Sequence, residues 1–395
     1  MMVEQQSSLT VVPDIERGPF WPKTDAALAL ATGRVFRGYG FGAPGSAEGE
    51  AVFTTTMTGY QEVCTDPSFR RQLVCMTYPL IGNYGVNADD DESRQPWIAG
   101  LIVRERCDDP SNWRSTGTLD AYLKKHGIPA ISGVDTRALT RHIRSVGDTR
   151  AVLVHNAADI SDADLIERAS TAVLPGELDV VDEVAADEIE TLGDPNGPHI
   201  IVIDCGVKRN IVRSLTKRGA KVTVIPYGTP YADITALSPD GVILSPGPGD
   251  PANLDEGLDV VRDVLRDGVP YFGICLGHQL LARAIGADTG KLKFGHRGGN
   301  HPVLDLRTGH VSITSQNHGF RVLEDTLPKT DEDWRVALVN LNDRSVEGLA
   351  HRTQPVISVQ FHPEASPGPL DNGYLFDEFL EMIAARSSSA ATRGS

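Results

Sequence analysis

The stretch 269-VPYFGICLGHQLLARAIG-286 decides how this chain is read. VPYFGI is a short apolar run, as expected of a strand covered on both faces. Gly273-Ile274-Cys275-Leu276-Gly277 follows with the spacing of a nucleophile elbow, the sharp strand-to-helix turn of G-x-S-x-G, with a thiol in place of the serine. Leu280, Leu281, Ala284 and Ile285 then recur at helical spacing until Gly286 stops the run. Such a turn holds the sulfur at a helix N-terminus, where unpaired N–H groups and the helix dipole favour a thiolate.

Upstream, the same alternation repeats. HIIVIDCG (199–206) reads as a strand, KRNIVRSLTKRG as a helix with Ile211, Val212 and Leu215 on one face, and AKVTVIPY as a second strand. GVILSP (241–246) is a third strand and LDVVRDVLRDG a helix leading back to VPYFGI. This order predicts an α/β fold with a doubly wound, mostly parallel sheet. The shorter runs HVSITS, WRVALVNL, VEGLA and PVISVQFH follow, and the helix YLFDEFLEMIAARS closes the domain. The first half differs. Short strands separated by Gly and Pro turns, with one clear helix at 135-DTRALTRHIRSVG-147 (Asp135 its N-cap, Gly147 its stop), predict an α+β domain. Between residues 169 and 207 there is no Lys or Arg but nine acids, with the turn-rich break GDPNGP at 193–198. The division expected is a tail at 1–20, an N-terminal domain at 21–190, a linker at 191–198, a second domain at 199–387 and a tail at 388–395.

Net charge and cysteine usage narrow the function classes. The formal charge of −16 would repel phosphates, so neither a nucleic-acid nor an anionic-membrane partner is expected. No apolar run is long enough to span a bilayer, and the first residues lack the basic and apolar regions of a signal peptide. Five scattered cysteines (64, 75, 107, 205 and 275) without a CxxC pair fit free thiols in the cytoplasm.

Ligands of doubly wound sheets sit at the carboxyl ends of the strands. Cys275 lies at one such end and 245-SPGPGDP-251 at another. An oxyanion hole is expected from the N–H of Leu276 and one from Gly247 or Gly249, since Pro246 and Pro248 have none. The base that serves the thiol should be a histidine held by a carboxylate. His362 ends the strand PVISVQF, Pro363 stops that strand, and Glu364 stands two residues on, which gives a Cys275-His362-Glu364 triad. His278 is a rival base, but it lies on the body of the elbow helix and is expected to pack. Cys275, His278, His296 and His301 fit no common zinc spacing, so no metal is expected. The Gly-Pro loop lacks the phosphate-binding G-x-x-x-x-G-K-[ST] pattern, and no dinucleotide fingerprint occurs.

LSPGPGDP, GICLGHQ and SVQFHPE together resemble the three signature segments of class I glutamine amidotransferases. TTTMTGYQEVCTDPSF, QLVCMTYPLIGNYG, VDTRALTRHIR, KFGHRGGNHPV, TSQNHGF and FHPEASPGP further resemble the small, glutaminase chain of carbamoyl-phosphate synthases, from about residue 25 to 385. The resemblance implies that Cys275 is the nucleophile, His362 the base and Glu364 its partner. It implies that Ser68, Gly247, Gly249, Leu276, Gln279, Asn317, Gly319 and Phe320 hold glutamine. It also implies a partner, the large synthetase chain, carrying ATP and magnesium, with no cofactor in this chain and ammonia passing on for pyrimidine and arginine synthesis. Pro246 departs from that pattern, and SPGPG is more like the anthranilate-synthase type. Two other expectations compete: a glutaminase serving another synthase, and a non-catalytic regulatory subunit.

Overall fold

The computed structural model describes residues 23–328 and 333–393. The tail expected at 1–20 lies outside them. Two bodies of structure meet along one face.

The N-terminal body is a closed barrel of seven strands, in the order Ala26–Leu30, Val35–Gly42, Pro129–Ser132, Gly100–Ile102, Gln72–Met76, Ser46–Thr54 and Thr149–His155. Closure removes the sheet edges that short Gly- and Pro-bounded strands would otherwise expose. Leu28, Leu30, Ala51, Leu73, Ile102, Ile131 and Leu153 form part of one buried cluster. The helix Thr136–Val146 starts where the sequence places it, with the Asp135 carboxylate accepting from Ala138 N at 2.9 Å.

The C-terminal body is a ten-stranded mixed sheet. Its centre is parallel: Lys221–Pro226, His199–Asp204, Gly241–Leu244, Tyr271–Ile274 and Val356–Val359 lie side by side. Their apolar runs bury both faces. Ile201, Ile203, Val242, Leu244 and Tyr271 pack on one side with Leu258, Val261 and Leu280. Ile200, Val202, Ile243, Phe272 and Ile274 pack on the other with Phe376 and Phe379. Beyond Val356–Val359 the sheet turns antiparallel through Val346–His351, Trp334–Asn340 and the long pair Thr289–Asp305 and Val311–Val322.

Two segments differ from their sequence reading. Of the expected linker at 191–198, the first residues belong to the strand Glu190–Gly193, which pairs antiparallel with Lys221–Pro226 at the sheet edge. That strand is exposed along its length, and its one acid, Glu190, is a charge of the kind that discourages further pairing at a sheet edge. The tail expected at 388–395 is also revised, because the last helix runs from Tyr374 to Arg393. The Ser388 hydroxyl bonds back to Ala384 O at 3.0 Å, and Ala and Ser continue a helix already nucleated by its packed first half.

Candidate active site

Cys275 sits between the strand Tyr271–Ile274 and the helix Leu276–Ala284, with φ 53° and ψ −98°. A positive φ is costly for a side-chain-bearing residue, and the surrounding packing imposes it. Cys275 N donates to Val359 O at 2.8 Å, and both glycines of the turn are required by close approach. A Cβ on Gly273 would lie 2.6 Å from Gly277 O, and one on Gly277 would lie 2.2 Å from Leu244 O. The sulfur is buried, 3.7 Å from Gln360 Nε2 and 3.8 Å from Asn317 O.

His362 is placed by the end of the Val356–Val359 strand, and its N–H donates to Ser315 O at 2.8 Å. Its Nδ1 meets Glu364 Oε1 at 2.7 Å, which leaves Nε2 for the thiol side, with no oxygen or nitrogen among the described residues bonded to it. Burial opposes a charged imidazole, but the Glu364 carboxylate and the Cys275 sulfur outweigh it, and the His362 pKa is raised to about 10. The His362 ring is thus biased towards its protonated form. Glu364 is buried as well, yet Lys208 and His362 hold its carboxyl down at about 2.

Lys208 is a residue that sequence reasoning missed. It is 1% exposed, and its Nζ lies 3.0 Å from Glu364 Oε1 and also donates to Ala365 O. Burial pulls its pKa down, but Glu364, Asp66 and Glu92 raise it on balance. The signal was available: Lys208 follows HIIVIDCG at the carboxyl end of a parallel strand, the place where ligand loops were sought. Asp66 and Gln360 were also missed. Asp66 accepts from Asn317 Nδ2 at 2.8 Å and from Ser68 N at 2.9 Å.

A narrow cleft opens beside the sulfur, between barrel and sheet. Ser68, Gly247, Gly249, Gln279, Asn317, Gly319 and Phe320 all line it with Cys275. Leu276 is the exception. It is buried behind the elbow, and its expected contribution is a backbone N–H. His362 lines a smaller cavity on the far side of Asn317, with Asp66 and Lys208. The thiol thus lines the cleft and also interacts with the His362 ring. His278 is distant in role: it is fully buried, its Nδ1 lies 2.8 Å from Ser358 Oγ, and burial lowers its pKa to about 3. His296 pairs with Asp343 at 3.0 Å in a buried cluster with His318 and Glu347.

Two family descriptions match, and together they cover most of the chain: glutamine amidotransferase class-I over residues 201–382, and carbamoyl-phosphate synthase small chain, CPSase domain, over 28–153. The carbamoyl phosphate synthase small chain of Symbiobacterium thermophilum is 50% identical over 369 residues, covering 92% of this chain and 100% of that one. This chain belongs to the carbamoyl-phosphate synthase small-chain family. The small chain of Akkermansia muciniphila is likewise 50% identical, over 91% of this chain and 98% of its own. A solved structure, a glutamine amidotransferase from Thermotoga maritima, is 18% identical over 43% of this chain and 77% of its own, with a TM-score of 0.35.

The barrel is part of the site in this small chain. Besides Ser68 it brings Glu50 and Gln72 to the cleft wall, opposite Lys291 and Arg297 from the long antiparallel pair. Lys291 Nζ lies 2.6 Å from Glu50 Oε1, and the buried Arg297 lies 3.2 Å from Asp148 Oδ2.

Proposed function

We propose that this chain is the glutamine-hydrolysing subunit of a carbamoyl-phosphate synthase and that Cys275, His362 and Glu364 carry the hydrolysis. The cleft receives the carboxamide end of glutamine at the sulfur. The Cys275 thiolate attacks the amide carbon, forming a C–S bond, while the oxyanion takes N–H groups from Leu276 and from the Gly247–Gly249 loop. The His362 imidazolium donates its Nε2 proton to the amide nitrogen, the C–N bond breaks, and ammonia leaves. Neutral His362 then takes a proton from water, the hydroxide displaces sulfur from the glutamyl thioester, and glutamate leaves. Glu364 keeps the ring oriented and offsets its positive charge.

Ammonia passes to a large synthetase subunit that makes carbamoyl phosphate from bicarbonate. ATP and magnesium act in that partner, and the enzyme works in the cytoplasm. No helix among the described residues is long and apolar enough to cross a membrane. The observation that carries the reading is the buried thiol at an elbow, with a cleft on one side and a carboxylate-held imidazole on the other. The match of residues 28–153 to the small-chain domain favours this synthase over the anthranilate type suggested by SPGPG.

The test is glutamate release from glutamine by the full chain, alone and with the large subunit, beside Cys275→Ala. Release that rises with the partner and vanishes in the variant supports the proposal. Release that Cys275→Ala leaves intact refutes the thioester route, and release indifferent to the large subunit refutes the pairing.

A further inference from the structure

The wall of the cleft carries an amide whose orientation is fixed by its neighbours. Gln72 opens the barrel strand Gln72–Met76 and is 6% exposed. In the parallel pairing of barrel strands it stands directly beside Glu50, so both side chains lie on one face. Gln72 Nε2 donates to Glu50 Oε2 at 2.9 Å, while Glu50 Oε1 takes Lys291 Nζ at 2.6 Å. A carboxylate paired with an ammonium accepts hydrogen bonds and has none to give. The NH₂ of Gln72 must therefore face Glu50, and the carbonyl oxygen must face away from it.

That oxygen, Gln72 Oε1, is buried without a hydrogen-bond partner among the described residues, on a residue that lines the cleft. Leaving a buried acceptor unmet is unfavourable, so a site that fixes one beside a ligand space is built for a donor. Ser68 Oγ, four residues earlier, is likewise buried, unpartnered and on the cleft wall. The orphaned acceptor thus belongs to the barrel's share of the wall of a cleft that the Gly247–Gly249 loop also lines.

We propose that Gln72, held by Glu50 and Lys291, accepts a hydrogen bond from the α-ammonium group of glutamine and so makes the site specific for an amino acid over a plain ω-amide. The inference rests on the glutaminase reading and adds a specificity residue to it. Lys291 comes from the sheet domain and Glu50 from the barrel, so the acceptor is set only when the two are joined. Gln72 touches no reacting atom, which separates its role from that of the triad.

The experiment compares L-glutamine with glutaramate, its analogue lacking the α-amino group, in glutamate or glutarate release by the full chain with its large subunit. The wild type is expected to prefer glutamine in kcat/KM. Gln72→Met is expected to reduce that preference roughly tenfold or more, the range for a hydrogen bond to a charged group, through KM for glutamine and with little change for glutaramate. Gln72→Asn keeps the amide and withdraws it by one methylene. It is expected to lower the same ratio, and it serves if the methionine variant does not fold. A preference that stays within twofold of wild type in whichever variants fold overturns the assignment while leaving the glutaminase intact. A wild type that hydrolyses neither compound overturns both.

Discussion

Alanine at Gly277 puts two principles in opposition. Gly277 is the second residue of the elbow helix, and helix propensity alone favours alanine over glycine by about 1 kcal/mol. The added methyl would lie 2.2 Å from Leu244 O, 2.9 Å from Leu244 C and 3.0 Å from Leu244 Cβ. The closest of these contacts is short of ordinary separation by roughly 1 Å, and its partner is a strand backbone atom with no freedom to rotate away. Overpacking of this kind costs about 1–3 kcal/mol, so after the propensity gain the net expectation is a loss of about 0–2 kcal/mol, towards the upper end because the contact is with backbone. The larger effect falls on catalysis. The helix can relieve the contact only by lifting its first turn, which carries Cys275 and Leu276, and a displacement of about 1 Å at reacting groups can cost on the order of 100-fold in rate. Gly277→Ala should lower the thermal midpoint by several degrees and cut kcat for glutamate release about 100-fold. A midpoint at or above wild type, with release within threefold, would refute the claim that strand–helix contact makes this glycine necessary.

Lys208→Met removes the ammonium from a pair in which both groups are almost fully buried, leaving Glu364 to its imidazolium alone; unfolding in denaturant should show a loss of about 3–5 kcal/mol, and an unchanged midpoint would contradict the pairing. Stability should also depend on alkaline pH. His296 is raised to about 9, with burial opposing and Asp343 and Glu347 prevailing, and His362 is raised to about 10. Groups raised above an unfolded value of about 6.5 lend stability that is full below that pH and lost as pH climbs through the folded value. The thermal midpoint should therefore fall from pH 7 to 10, and His296→Gln should remove on the order of 2 kcal/mol of that dependence, mainly below pH 9. A variant with the same slope as wild type would place the titration elsewhere.

The parallel core and the elbow were legible because their signals are local. Apolar runs such as Ile200–Ile203 state burial on both faces directly, and Gly273 and Gly277 bracket Cys275 at a spacing that only a tight turn uses. The long strand Thr289–Asp305 was not legible. Its sequence, TGKLKFGHRGGNHPVLD, is Gly-rich and without alternation, because the pairing slips twice, between Lys291 and His296 and between Gly298 and His301. Barrel closure was equally hidden, since which short strands meet is decided by contacts far apart in the chain. Within the site, His362 and Glu364 could be found because they sit two residues apart. Lys208 meets Glu364 only through the fold, across more than 150 positions of sequence. Gln72 is harder still, because its informative feature is an oxygen left without a partner.

The cross-domain contacts explain why the barrel accompanies the amidotransferase sheet. Asp66 of the barrel side fixes Asn317 of the sheet side, and Asn317 O stands 3.8 Å from the sulfur. Glu92 accepts from Asn210 N at 3.0 Å and pairs with Arg213, anchoring the helix whose first turn follows Lys208. Lys208 in turn holds Glu364, and Glu364 holds His362. The cleft wall and His362 are thus each tied to the barrel by buried polar contacts, which are costly to leave half-made. Apolar packing alone would let the two bodies slide. Paired charges and oriented amides fix their register, and that register sets the width of the cleft beside Cys275. A shift between barrel and sheet would therefore move Ser68 on the cleft wall and the Glu92–Asn210 contact behind His362 together.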